Sequence, residues 1–194
     1  LALSYQEGYR SGGTSVSFFG GTVSPYEPEY TRTVELAVRS HWLDQRLMLN
    51  ANAFYTRWRD QQVTIGETSG FQTTTENAGR SHYYGLEGEV LWKLSESFEA
   101  FASLGFLESK FDRFINDGQD YAGNSFPYAP RQTAGLGLNM REWKRISGQI
   151  SANYIGAYLS DADNDPQSRA DSRVLLNARL AYRLPYGFSL AVYG

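Results

Sequence analysis

Apolar and polar residues alternate in long runs along this chain, most clearly between Pro25 and Gln62. From Leu47 to Tyr55 the odd positions carry Leu47, Leu49, Ala51, Ala53 and Tyr55, and the even positions carry Met48, Asn50, Asn52 and Phe54. The preceding arm does the same, with Val34, Leu36 and Val38 on one face and Thr33, Glu35, Ala37 and Arg39 on the other. A period of two belongs to a strand whose two faces meet different surroundings. A short polar turn around His41 to Gln45 joins the arms, so the stretch reads as one long hairpin.

The pattern recurs on both sides of the hairpin. Strands are predicted over 1–8, 81–94, 98–111, 132–140, 146–154 and 174–183, with a further one starting at Phe188. The connections alternate in length. Long loops are expected near 11–28, 60–78, 115–130 and 160–172, and short turns near 41–45, 95–97, 141–145 and 185–187. Strands of ~9–14 residues exceed the ~5–6 typical of soluble sheets. Short turns on one rim and long loops on the other describe an antiparallel up-and-down transmembrane β-barrel, whose long loops face outward and whose short turns face the periplasm. On this reading Leu36, Leu49, Leu104, Ile150 and Leu180 meet lipid, while Glu35, Glu87, Glu89, Arg179 and Arg183 line a polar lumen. About nine strands are visible. Bacterial single-chain barrels have even numbers, so residues 1–194 read as part of a larger barrel. A soluble antiparallel sandwich is the bland alternative, and it would show shorter strands and no systematic difference between connections.

Composition sharpens this picture. Hydrophobic residues make up 41% and the mean hydropathy is −0.47, and no run of 18 apolar residues exists to form a spanning helix. A barrel is compatible with such low hydropathy, because only alternate residues touch lipid. Aromatics reach 15%, led by 14 tyrosines, as interfacial girdles require. The absence of cysteine excludes disulfides, thiolate metal sites and thiol nucleophiles. A net charge of −3 and a pI near 5.4 argue against nucleic acid as a partner. The chain opens on Leu1 without a signal pattern and stops at SLAVYG within an apparent strand, which reads as truncation at both ends.

Several short motifs occur in a definite order. They are Tyr26, Pro28, Glu29 and Glu35; then Leu47, Leu49, Asn50, Ala53, Phe54 and Tyr55; then Asp60 and Gln62; then Asn77-Ala78-Gly79 and Gly85-Leu86-Glu87; then Pro127-Tyr128-Ala129-Pro130-Arg131. With the opening Gly8-Tyr9-Arg10-Ser11-Gly12-Gly13, this series resembles the C-terminal barrel half of TonB-dependent outer-membrane receptors, especially the ferric-siderophore class. The resemblance spans almost the whole chain. It implies a 22-stranded barrel of which residues 1–194 are a partial domain, with the plug domain, the energy-coupling box and the barrel ends outside it. It also implies a transporter rather than an enzyme, with a ferric siderophore as cargo and no cofactor. The implied partners are outer-membrane lipid and lipopolysaccharide, the siderophore, and the TonB complex acting through the missing plug. The implied location is the outer membrane of a Gram-negative bacterium. Alternatives left open are a passive porin or adhesion barrel, a receptor for cobalamin or glycans, and a soluble β-rich binding domain.

The candidate chemistry is sparse, and no catalytic residue is assigned. Asp161, Asp163 and Asp165 have the first three spacings of a calcium loop, but Pro166 stands where the loop glycine belongs, so a solvated acidic loop is the main reading and no metal site is expected. His41 and His82 stand alone, and Glu87 and Glu89 share a strand face without a His, Cys or Ser partner. Trp42, Trp92, Trp143 and Tyr186 are expected in a girdle at the short-turn rim. Tyr9, Tyr55, Trp58, Tyr83, Tyr128 and Tyr158 are expected near the long-loop rim. Candidate ligand contacts on the outer-loop side are Arg10, Arg57, Arg59, Arg80, Tyr128 and Arg131; these arginines would attract an anionic chelate, bind lipopolysaccharide phosphates or pair with nearby acids.

Overall fold

The computed structural model describes residues 1–16, 23–66, 73–116 and 118–194. Nine strands form one sheet in sequence order. They are β1 (Ala2–Arg10), β2 (Glu29–Trp42), β3 (Leu47–Gly66), β4 (Thr73–Lys93), β5 (Phe98–Arg113), β6 (Gln132–Trp143), β7 (Ile146–Ile155), β8 (Arg173–Arg183) and β9 (Ser189–Tyr193). Each pairs antiparallel with the next. The sheet is an all-β up-and-down wall with two free edges, β1 and β9.

Register decides what each face carries. Leu3 opposes Leu36, Leu36 opposes Ala53, Ala53 opposes Leu86, and Leu86 opposes Phe106. Leu104 opposes Ala134, Leu138 opposes Ile150, and Ile150 opposes Ala178. One face is therefore apolar across the whole sheet, and it is bare: Leu86 is 58% exposed, Leu104 56%, Ile150 59% and Leu180 57%. A water-soluble monomer does not leave so continuous an apolar surface uncovered, whereas hydrocarbon is the solvent it fits. Its height agrees. Along β5 the apolar positions run from Phe98 to Phe106 and end at Glu108. Ten steps of ~3.4 Å, tilted by ~40°, span ~26 Å, close to the ~25 Å apolar band of an outer-membrane barrel.

The opposite face is polar in the middle and packed at the long-loop end. There Val63, Ala78, Phe111, Phe114, Tyr121, Phe126 and Ala162 form a small core, with Trp58 and Tyr83 against it. The segment after β5 thus folds back over this face.

The connections differ from expectation in one place. Residues 60–66 and 73–77 were expected in a long loop, yet β3 runs for 20 residues and β4 for 21. The reason is the β-branched content of this stretch: Val63, Thr64 and Ile65 face Glu76, Thr75 and Thr74 across the ladder. The other long connections carry only small elements. Gly13–Val16 pairs with Val23–Tyr26, Ile115–Asn116 with Gln119–Asp120, and Tyr158–Leu159 with Arg169–Ala170, beside a 3-10 turn at Pro166–Ser168. The middles of the first two expected loops, 17–22 and 67–72, lie outside the described residues. The short turns are tight. Lys144 and Arg145 take φ of 49° and 70° between β6 and β7, the left-handed pair that matches hairpin twist. At 95–97 the Ser95 hydroxyl accepts from the Ser97 and Phe98 amides instead.

Candidate functional site: the lumen wall and the loop rim

The polar face is built by the even positions of β3 and their cross-strand partners. Asn50 opposes Arg39 and Glu89, and Asn52 opposes Ala37 and Glu87. Asn52 Nδ2 donates to Glu87 Oε2 at 3.2 Å. With Glu35 these side chains line a depression of about 490 Å³ in the middle of the wall. Carboxylates and amides on this scale are out of place against lipid and suited to a hydrated lumen. Asn50 Oδ1 is buried and has no hydrogen-bond partner among the described residues. Two glycines let rings lie flat on this wall. A Cβ on Gly85 would sit 2.6 Å from the Phe54 Cζ, and one on Gly137 would collide with the Phe101 Cζ.

Toward the long-loop rim the wall turns aromatic. Trp58, Ser81 and Phe111 share one cross-strand row. The Phe126 ring lies 4.9 Å from Phe111 and 6.2 Å from Trp58, and the Phe126 amide donates to Ser109 Oγ at 3.1 Å. A bulge makes this packing possible. Arg80 opposes Arg113 but Ser81 opposes Phe111, so Asp112 is an extra residue in β5. Phe111 and Phe114, three apart, thereby reach the same side, with ring centroids 5.1 Å apart. The loop after β5 is in turn tied to the loop after β7: Asn124 Nδ2 donates to the Ala162 carbonyl at 2.9 Å, and Asn164 Oδ1 accepts from the Ser125 amide at 2.8 Å.

The sequence motifs converge at a joint between loop and wall. Glu29 is buried, accepts the Gln62 amide at 2.7 Å and pairs with Arg10 at 3.1 Å. Asn77 Nδ2 donates to the carbonyls of Asp60 and Glu27, and Asn77 Oδ1 accepts the Glu27 amide at 2.7 Å. Gln62 Nε2 donates to the carbonyls of Ser11 and Glu27. Residues from four separate motifs thus fasten the first long connection onto β3 and β4.

The candidate contacts do not form one site. Arg10 belongs to the joint just described. Arg57, Arg59 and Arg80 lie on the face of the apolar belt, because they share the parity of Ala53 and Tyr55 and of Leu86 and Tyr84. Arg131 pairs with Glu108 at 3.0 Å, beside Tyr84 and Phe106. Tyr128 is 69% exposed where the loops after β5 and β7 meet; its amide donates to the Leu159 carbonyl at 2.8 Å and its ring lies 6.0 Å from Tyr158. The Arg173 guanidinium sits 5.6 Å over the Tyr158 ring. Of the aromatics expected in the long-loop girdle, Tyr9 and Tyr55 stand on the belt face, but Trp58 and Tyr83 point the other way into the loop core. Parity explains the correction: position 58 is an odd number of steps from Tyr55, and 83 from Tyr84. Trp42, Trp92 and Trp143 are exposed on the belt face at the short-turn end.

Asp163 Oδ1 and Asp165 Oδ1 accept the amides of Asp165 and Gln167, and no group of three potential metal ligands comes together among the described residues. Sequence reasoning missed the loop core. Its members are scattered from Trp58 to Ala162, and only their strand parity hinted that they belong together.

Comparison with known proteins agrees with this geometry. The family model for the TonB dependent receptor-like β-barrel matches residues 1–194. A pesticin receptor from Yersinia pestis is 27% identical over 191 residues, covering 96% of this chain and 27% of that protein. The crystal structure of the ferric yersiniabactin uptake receptor FyuA from Yersinia pestis superposes with a TM-score of 0.78 at 25% identity, over 98% of this chain and 28% of that one. The siderophore receptor PiuA from Acinetobacter baumannii superposes with a TM-score of 0.68 at 21% identity, over 98% and 29%. The chain thus spans little more than a quarter of the relatives it matches.

Proposed function

The chain belongs to the TonB dependent receptor-like β-barrel family, and from that premise we propose that it is part of the wall of an outer-membrane receptor that imports a ferric siderophore. The cargo binds at the outer loops and crosses as the plug, a domain beyond residues 1–194, moves under energy from the TonB complex. The work is transport without covalent chemistry, and the iron chelate is cargo rather than cofactor. The protein sits in the outer membrane of a Gram-negative bacterium, among its lipids and lipopolysaccharide. The supporting observation is the division of one sheet into a bare apolar belt and a polar wall with an aromatic loop core folded over its outer end. The likeness to a ferric yersiniabactin uptake receptor supports this class of cargo.

Within this chain, the exposed Tyr128 and Arg173, with the half-buried Tyr158 between them, are placed to meet an anionic chelate at the rim. The polar wall around Asn50, Glu87 and Glu89 faces whatever fills the lumen, which in this reading is the plug. The test is binding and uptake of a panel of iron-labelled siderophores by the full-length receptor in cells lacking other iron receptors. One chelate should bind with a Kd that Tyr128→Ala raises about fivefold, the order expected for one aromatic contact. Uptake of cobalamin or a glycan, with no chelate bound, would overturn the cargo and leave the fold intact.

A further inference from the structure

The belt face continues past its apolar region. Beyond the row of Tyr5, Tyr55 and Tyr84 comes a row of Arg32, Arg57, His82 and Lys110, each directly opposite the next. The row beyond that holds Tyr30, Arg59, Arg80 and Arg113, again in register. Rows on one face are two residues apart, so the cations stand ~7 and ~14 Å outside the tyrosines, at the depth of lipid headgroups.

Their pairing is costly as it stands. Arg32 faces Arg57, Arg59 faces Arg80, and Arg80 faces Arg113, and like charges directly opposite destabilise a sheet. The acids nearby cancel only some of them, and Lys110 lies 3.9 Å from Glu108. Glu7 pairs with Arg32 at 3.1 Å, Asp112 with His82 at 2.7 Å, and Glu108 with Arg131 at 3.0 Å. Arg57, Arg59, Arg80 and Arg113 have no carboxylate within ion-pair distance among the described residues. The Arg57 and Arg59 guanidinium groups instead rest over the Tyr55 and Tyr30 rings at 5.7 and 5.5 Å, which holds them in place. Together with Arg32, Arg80 and His82 they line a depression of about 550 Å³.

We propose that this shelf binds the phosphate groups of an acidic phosphorylated glycolipid of the surrounding leaflet. Its acyl chains would lie on the belt below, along Leu86 and Phe106. Three features favour a lipid over a free anion or the cargo. The shelf is continuous with the apolar belt, it faces away from the lumen, and its guanidinium groups are arranged in pairs that a bridging phosphate neutralises through forked hydrogen bonds. The proposal rests on the outer-membrane part of the function proposed above and not on the identity of the cargo.

The test uses the delipidated full-length receptor, titrated with bisphosphorylated lipid A, with the same lipid after enzymatic dephosphorylation, and with inorganic phosphate as competitor, all read by native mass spectrometry. The wild type should hold the bisphosphorylated form at least about tenfold more tightly. The pair Arg57→Gln and Arg80→Gln should bring both lipids to the dephosphorylated level, while Arg39→Gln on the lumen wall should change neither. Arg57→Lys with Arg80→Lys should keep part of the preference and serves if the glutamine pair folds poorly. Equal binding of both lipids by the wild type, an unchanged preference in the glutamine pair, or displacement by an equal concentration of inorganic phosphate would each overturn the proposal. Uptake of the ferric chelate should be the same in wild type and variants, so a wrong cargo and a wrong lipid site give different results.

Discussion

Leu104 lies in the middle of the belt and Ser103 is its neighbour on the other face, so one arginine scan separates a membrane wall from a soluble sheet. Leu104 is 56% exposed, opposite Gly88 and Ala134 and some six residues from the Phe98 end of β5. In water, arginine at an exposed leucine costs within ~0.5 kcal/mol. At the midplane of a bilayer it costs ~2–4 kcal/mol, because a guanidinium must leave water or drag it in. That corresponds to about thirtyfold to several hundredfold in the folding equilibrium constant. Ser103 opposes Glu89 and Gly135 on the polar wall, where an added cation meets a carboxylate and water. Ser103→Arg should therefore cost little or nothing. The assay is guanidinium unfolding of the full-length receptor in lipid vesicles, read as loss of the heat-modifiable folded band, with both variants under one condition. Leu104→Arg should lower the midpoint strongly and Ser103→Arg should not. Equal midpoints for the two variants would refute the assignment of faces, and with it the barrel.

Phe126→Ala empties the centre of the loop core, and deletions of this kind cost ~3–5 kcal/mol; amide exchange should rise over 121–126 while the belt strands stay protected. Asn77→Ala removes three hydrogen bonds from the joint, each worth ~1 kcal/mol; limited proteolysis should then cut residues 23–28 faster, with uptake lost before the barrel unfolds. Addition of calcium or of a chelator should leave thermal stability unchanged within ~1 °C, because Asp163 and Asp165 are engaged with backbone amides and no ligand set is assembled among the described residues; a rise with calcium would restore the acidic loop as a metal site.

How much of this was legible in the sequence depends on how far a period of two persists. Val34, Leu36, Ala53, Leu86 and Leu104 repeat strictly, and the belt follows from them alone. The same parity carried to 57, 59 and 80 places those arginines on the lipid side, whereas closeness to the loop rim groups them, with Trp58 and Tyr83, on the outer-loop side. Parity fails outright at Asp112, where one bulge residue lets Phe111 and Phe114 share a side. A ladder hydrogen bond gained or lost at one residue leaves no trace in an alternation count. The loop core was equally hidden, because its contacts join residues some hundred positions apart and depend on register across three strands. Residues 60–66 misled for another reason. The stretch from Asp60 to Asn77 is polar and rich in Thr and Gly, as a loop would be, but Val63 and Ile65 have somewhere to pack once Phe111 and Phe126 are present, and burial overrode local polarity.

The two faces answer to different solvents, and this separates what fixes the fold from what fixes the cargo. Any apolar side chain of roughly the right size serves at Leu36, Leu86 or Leu104, because lipid makes no shape demand and the ladder already satisfies the backbone. The polar wall is more constrained. Glu29, Gln62 and Asn77 each meet fixed backbone partners, and Gly85 must lack a Cβ for Phe54 to lie across it. Motif residues recognisable in the sequence therefore concentrate where the wall holds its own loops. The side chains of Tyr128, Tyr158 and Arg173, by contrast, meet one another, with the tyrosine rings 6.0 Å apart and the guanidinium over the Tyr158 ring. Replacing these side chains leaves the strand ladder beneath them intact, so in the receptor proposed above the rim can change its ligand while the wall stays the same. On that proposal, substitution at Tyr128, Tyr158 and Arg173 should change ligand preference, while substitution in the belt or the joint should change folding instead.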